Sequence, residues 1–168
     1  DLVASGSKTL IFSQFTSYLA ILKKLIRADL PNVPLYQLTG STRDRGTPVK
    51  KFEETNGAAV MLASLKAAGL GVTLRTADYV FLMDPWWNPA AEEQAIDRAH
   101  RIGREKPTFV YRLIAKGTVE ERVCELQRKK REAFRRVIGK IEPIGPLTEH
   151  FSSLTELIEY REVDSTTD

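Results

Sequence analysis

The feature that most constrains the fold is a repeated alternation of short apolar runs with helical or turn-forming stretches. The runs are Lys8–Ser13, Leu35–Thr39, Ala58–Leu65, Asp78–Asp84 and Thr108–Ala115. Most place apolar residues at successive positions rather than at every second one, so both faces of each strand need cover. Between the first two lies Phe15–Leu30, where Phe15, Leu19, Leu22 and Ile26 recur at helical spacing. Pro31–Pro34 breaks that helix. Thr47–Glu54 reads as a short helix with Thr47 as its N-cap and Pro48 at the first helical position, stopped by Asn56-Gly57. Lys66–Gly71 reads as a small-residue loop, and Asn88-Pro89 opens a helix to about Ile102. A long charged helix is predicted over Thr118–Ile138, with Val119, Val123 and Leu126 as its apolar stripe. The pattern predicts an α/β domain of three layers, a mainly parallel sheet with helices on both faces.

Composition narrows the classes. At 168 residues and 42% apolar content, one ordinary domain with a proper core is expected. A single cysteine, Cys124, excludes a disulfide scaffold and a thiolate-rich zinc site, and His100 and His150 supply no ligand cluster, so no metal site is expected. No apolar run approaches the ~18 residues of a membrane helix, and no secretory pattern opens the chain. A soluble, intracellular chain is the expectation. The net charge of +3 hides a split: residues 141–168 carry seven acids and one base, whereas residues 1–140 carry 24 bases and 15 acids. A basic body of +9 suits a polyanionic partner. The expected division is a 1–140 domain and a 141–168 acidic tail, hinged at Pro143–Pro146, with Ser153-Leu154-Thr155-Glu156 as a capping box and Leu154, Leu157 and Ile158 on one face.

Two motifs mislead. Gly6-Ser7-Lys8-Thr9 resembles the end of a phosphate loop, but Asp1 stands where the first glycine belongs, and the segment precedes a strand instead of following one. Asp84 ends a strand as a magnesium-holding aspartate would, but no acid follows it. It reads as a strand-end residue bonding backbone N–H groups.

The densest chemical signal is Gln94–Arg104. Gln94, Arg98 and Arg101 are spaced by four and three, so they share a helix face. Two guanidinium groups one turn apart offer many donors to a phosphate. Asp97 could pair with Arg101, the structural alternative, while Ala95, Ile96, Ala99 and Ile102 line the opposite side. At the end of the third strand, Ser64–Gly71 has small residues that let backbone N–H groups approach an anion, with Lys66 adding charge.

These pieces in this order resemble the second RecA-like lobe of the SNF2 (Swi2/Snf2) family of superfamily 2 DNA translocases. The matching stretches are KTLIFSQF (Lys8–Phe15), LTGSTRDR (Leu38–Arg45), SLKAAGLGVTL (Ser64–Leu74), DPWWNPAAEEQAIDRAHRIGR (Asp84–Arg104) and KPTFVYRLIAKGTVEERV (Lys106–Val123). The resemblance implies two lobes with ATP between them, the first lobe holding the phosphate loop and magnesium. It implies that Arg98 and Arg101 are arginine fingers, that Gln94 helps position them or the nucleotide, and that Gly69 and Gly71 line the nucleotide loop. It further implies that Ser13, Gln14, Gly40, Ser41, Ser64 and Lys66 track DNA phosphates, with Arg75 added and Arg43 and Arg45 as further candidates. Trp87 matches a loop tryptophan that couples DNA contact to lobe closure, or else packs the following helix. The implied partners are double-stranded DNA, the first lobe and a DNA-bound protein target. The helix from Thr118 resembles the family's brace, with Arg128–Arg131 and Arg135-Arg136 as its basic run.

The sequence departs from the family at Ala68, Thr73, Arg75 and Arg104, where glycine, asparagine, threonine and glutamine are common. No phosphate-loop lysine and no acidic magnesium pair occur in the 168 residues. The chain therefore reads as a piece of a longer enzyme, inactive towards ATP on its own. A docking module and a lobe of another superfamily 2 helicase are the alternatives. Compactness without long insertions suggests a bacterial or archaeal, DNA-associated cytoplasmic protein, or a nuclear one if eukaryotic.

Overall fold

The structure, a computed structural model, describes residues 1–68, 74–99 and 107–138. Five strands form one sheet: β1 (Lys8–Ser13), β2 (Leu35–Leu38), β3 (Ala59–Ser64), β4 (Tyr79–Leu82) and β5 (Phe109–Arg112). Their order is β2-β3-β1-β4-β5 and every pairing is parallel. The helices are α1 (Thr16–Asp29), α2 (Gly46–Glu54), α3 (Leu65–Ala68), α4 (Pro89–Ala99) and α5 (Val119–Ile138). The chain divides into two units, Asp1–Ala133 and Phe134–Asp168. The sheet, α1 to α4 and α5 as far as Ala133 belong to the first. The expected tail and its short helix lie outside the described residues.

The strand register sorts the core. Leu10 pairs with Met61 and Val80, and Ile11 with Leu62 and Phe81, so alternate residues serve opposite faces. On one face Leu10, Phe12, Met61, Ala63, Val80 and Leu82 are packed with Phe52 of α2 and Ala95 and Ala99 of α4. On the other, Val60 and Leu62 meet Leu19, Leu22 and Ile26 of α1. This is the three-layer arrangement that the two-sided strands require.

Five local expectations need correction. Phe15 is 55% exposed, so the buried stripe of α1 begins at Leu19. Thr47 is not the N-cap of α2: Asp44 accepts the N–H groups of Gly46 and Thr47 and the Thr47 hydroxyl, and the helix starts at Gly46. Lys66 lies in the short helix α3, not in a loop, because the Ser64 hydroxyl caps the Ala67 N–H at 3.3 Å. β5 is exposed along its whole length. Its Phe109 and Tyr111 stack on Tyr79 and Phe81 of β4, with ring centroids 5.2–6.4 Å apart. Val119 is exposed, while among the described side chains of α5 Val123 and, one turn on, Gln127 are buried.

Candidate functional site

A parallel sheet brings all its strand C-termini to one edge, where open α/β sheets bind ligands. Here that edge gathers Ser13 and Gln14 after β1, Gly40 and Ser41 after β2, Ser64 and Lys66 after β3, and Asp84 to Trp87 after β4. Most of the candidate phosphate-tracking residues therefore stand together.

Their side chains differ in availability. Ser13 is fully buried and its hydroxyl donates to the Asp84 carboxylate. It also accepts the Phe15 N–H at 3.0 Å. The other Asp84 oxygen accepts the Gln14 N–H at 2.9 Å. Asp84 thus ties β1 to β4 and bonds backbone N–H, as its strand-end position suggested. Burial pushes its carboxyl above the ordinary range, against the opposing pull of the Ser13 and Gln14 hydrogen bonds. Ser64 is buried and committed to its cap on α3. Gln14 is half-buried and its amide donates to the Pro85 carbonyl at 3.3 Å. Gly40, Ser41 and Lys66 are exposed. The Ser41 hydroxyl is 2.9 Å from that of Thr39, which helps fix the turn. Ser13 and Ser64 shape the edge from beneath, and the exposed residues form its surface.

Arg75 stands apart. The adjoining Thr76 bonds Glu53 through its N–H and hydroxyl, both at 3.2 Å. Lys8, at the start of β1, reaches Thr76 at 3.2 Å and the Glu53 carbonyl at 2.8 Å. These contacts place Arg75 at the amino edge of the sheet, a strand length of roughly 20 Å from the other candidates. They also account for Lys8: its ammonium is buried against Glu53, Thr76 and the Phe52 ring and plays no phosphate-loop part.

α4 is capped by Asn88, whose side-chain carbonyl accepts the Ala90 N–H at 3.1 Å, with Pro89 at its first position. It buries Glu92, Ala95 and Ala99 and leaves Gln94 exposed. Arg98 follows Gln94 by four positions, one helical turn, in the sequence. The Arg98 side chain, and Gly69, Gly71, Arg101 and Arg104, lie outside the described residues. Of the two tryptophans, Trp86 packs against the main core, and Trp87 is half-buried.

The sequence reading missed Glu92. Its carboxylate is fully buried and accepts from the Trp86 N–H at 2.6 Å, Gln127 Nε2 at 2.8 Å and Arg112 Nε at 3.1 Å. A signal was present: Glu92 shares its helix stripe with Ala95 and Ala99, an acid on an apolar face. Beside it, burial first, then the Glu92 and Glu120 carboxylates, push the Cys124 thiol up. Among the described residues no group of three His, Cys, Asp or Glu side chains is arranged for a metal ion, and no helix is long and apolar enough to cross a membrane.

Comparison with known proteins adds a family. Residues 1–103 match the helicase conserved C-terminal domain. The chain is 46% identical over 125 residues to the DNA repair protein RAD5 of Cryptococcus neoformans, covering 74% of this chain and 10% of that protein. It is 38% identical over 155 residues to an uncharacterized ATP-dependent helicase of Mycoplasma pneumoniae, covering 92% of this chain and 14% of that one. The chain thus spans between a tenth and a seventh of the length of these relatives. Among solved structures, the C-terminal part of the Fun30 ATPase domain superposes with a TM-score of 0.69 at 36% identity, over 75% of this chain and 41% of that one.

Proposed function

Because the chain belongs to the helicase conserved C-terminal domain family, in its SNF2 branch with the RecA-like fold, we propose that it is the second motor lobe of a DNA-dependent ATPase that moves along double-stranded DNA and displaces or remodels bound protein. The observation that carries this reading is the division of α4. Glu92, Ala95 and Ala99 anchor one side, and Gln94, one helical turn before Arg98 in the sequence, is turned outward. ATP bound on a first lobe would meet that face, with Arg98 and Arg101 stabilising charge on the transferring phosphoryl group. In comparable systems such a finger is worth roughly 10³–10⁵ in rate. Gln94 positions the nucleotide or the fingers, and the Gly69–Gly71 segment approaches it.

Magnesium is assigned to the first lobe. The strand-end carboxylate here, Asp84, is buried with both oxygens bonded to Ser13 and Gln14, which does not fit a metal ligand. Gln14, Gly40, Ser41 and Lys66 are assigned to DNA phosphates, supported from beneath by Ser13 and Ser64, and Trp87 to coupling between the DNA side and α4. Such contacts make movement largely independent of base sequence.

The test is substitution in the two-lobe protein. Arg98→Ala or Arg101→Ala abolishes DNA-stimulated ATP turnover and spares most ATP binding, and the 168-residue chain alone hydrolyses no ATP. Normal turnover in either variant would remove the finger assignment. Turnover by the lone chain would remove the two-lobe reading.

A further inference from the structure

Glu92 is the point where four segments meet. It sits on α4, and its donors come from the loop after β4 (Trp86), from β5 (Arg112) and from α5 (Gln127). Gln127 Nε2 also donates to the Trp86 carbonyl, so both peptide groups of Trp86 are held by the same pair of side chains. Arg131, one turn further along α5, donates to Gln127 Oε1 at 2.9 Å. One Glu92 oxygen serves Trp86 and Gln127, the other Arg112.

This is a costly way to fill a core position. A buried carboxylate is tolerated only when paired and hydrogen-bonded, and an apolar side chain of similar volume is often as stable or more so. What the carboxylate adds is direction: with each partner in place the network accepts one arrangement and penalises others through an unsatisfied buried group. Displacing α5 therefore pulls on Gln127, hence on Trp86 and Glu92, hence on the eleven-residue helix α4.

We propose that Glu92 and Gln127 are positioning residues that lock the orientation of α4 to α5 through Trp86, so that movement of α5 is transmitted to the outward face of α4. The importance of that face rests on the reading of Arg98 as a finger; the locking itself does not.

The test separates the two. Amide hydrogen exchange is followed in the 168-residue chain and in its Glu92→Gln and Gln127→Leu variants. The first keeps size but turns an N–H₂ towards donors. The second removes a donor without creating a clash, and keeps the test if the first fails to fold. The amides of Trp86 and of Ala91–Ala99 are expected to exchange roughly tenfold faster or more, as for the loss of one hydrogen bond to a buried charge. Those of β1 and β3 hold their rates. The double variant goes no further than the stronger single one, as coupled sites do. Uniform acceleration across the sheet, or none, would overturn the proposal. In the two-lobe protein the same variants lower DNA-stimulated kcat roughly ten- to a hundredfold, the cost of a slightly misplaced catalytic group, with KM for ATP and folded fraction unchanged. Unchanged kcat beside altered α4 exchange would overturn the transmission. An active Arg98→Ala variant would overturn the finger assignment and leave the exchange result standing.

Discussion

At Asp84 two opposed effects meet on one carboxyl group. Burial disfavours the charge, the Ser13 hydroxyl and Gln14 N–H favour it, and burial wins, raising the pKa from its ordinary 3.8. A carboxyl that holds its proton more tightly when folded contributes stability that is complete below its unfolded pKa. That stability is lost as pH rises through the folded value. Asp84→Asn has no such titration, so its stability relative to the parent chain rises across that window and then levels off. Denaturant midpoints at stepped pH measure the difference, and a constant gap would refute the sign. Asp84→Ala, which strands the Gln14 N–H and the Ser13 hydroxyl, costs about 1–3 kcal/mol at neutral pH. The role of Asp84 was legible in the sequence because a lone acid at a strand end has few other uses. Glu92 left only a faint signal, an acid on the apolar stripe that Ala95 and Ala99 mark, and that stripe alone does not say what the acid does. Recognising it needs the donors, and these come from Trp86, Arg112 and Gln127, brought together by the fold.

Among the elements, the strands and every helix but the four-residue α3 followed from hydrophobic pattern, and the ends followed from chemistry that pattern does not carry. Asp44 rather than Thr47 opens α2, since one carboxylate can take two N–H groups and a hydroxyl that a threonine cannot. Hydrogen bonds, from the Thr47 side chain first, hold its pKa below the ordinary value. At the other end Gly57 has φ +82° and Gly117, before α5, has φ +74°. Neither has an atom within 4 Å of where a Cβ would stand, so alanine there meets backbone strain alone. Gly57→Ala and Gly117→Ala are each expected to cost roughly 1–2 kcal/mol. Gly40 has the same open space without a positive φ, so Gly40→Ala leaves stability within a few tenths of a kcal/mol, roughly the level of surface changes. If Gly40 lies against a phosphate, the same methyl weakens DNA binding. Denaturant midpoints at unchanged m separate the three. Equal losses at all of them would mean that φ does not govern the cost.

For the whole molecule, the sheet separates members of the basic excess of residues 1–140 in space. Lys66 stands at the carboxyl edge and Arg75 at the amino edge, and Arg98 belongs to α4. The sequence resemblance set Arg98 apart from Lys66 but grouped Arg75 with Lys66, although the two, nine positions apart along the chain, are a strand length apart in space. Charges separated by roughly 20 Å act independently at physiological salt, where screening sets in near 8 Å. Duplex binding should therefore fall linearly on a log–log plot against salt, irrespective of base sequence, because each neutralised phosphate releases counterion. Lys66→Ala reduces the slope by about 1 and weakens binding to all sequences alike. Arg75→Ala and Arg98→Ala leave the slope unchanged, although the second stops ATP turnover. Titrations of one duplex between low and physiological salt read all three. Equal slope changes for Lys66 and Arg75 would mean that DNA contacts more than the carboxyl edge. A changed slope for Arg98 would move that arginine from the nucleotide to the DNA.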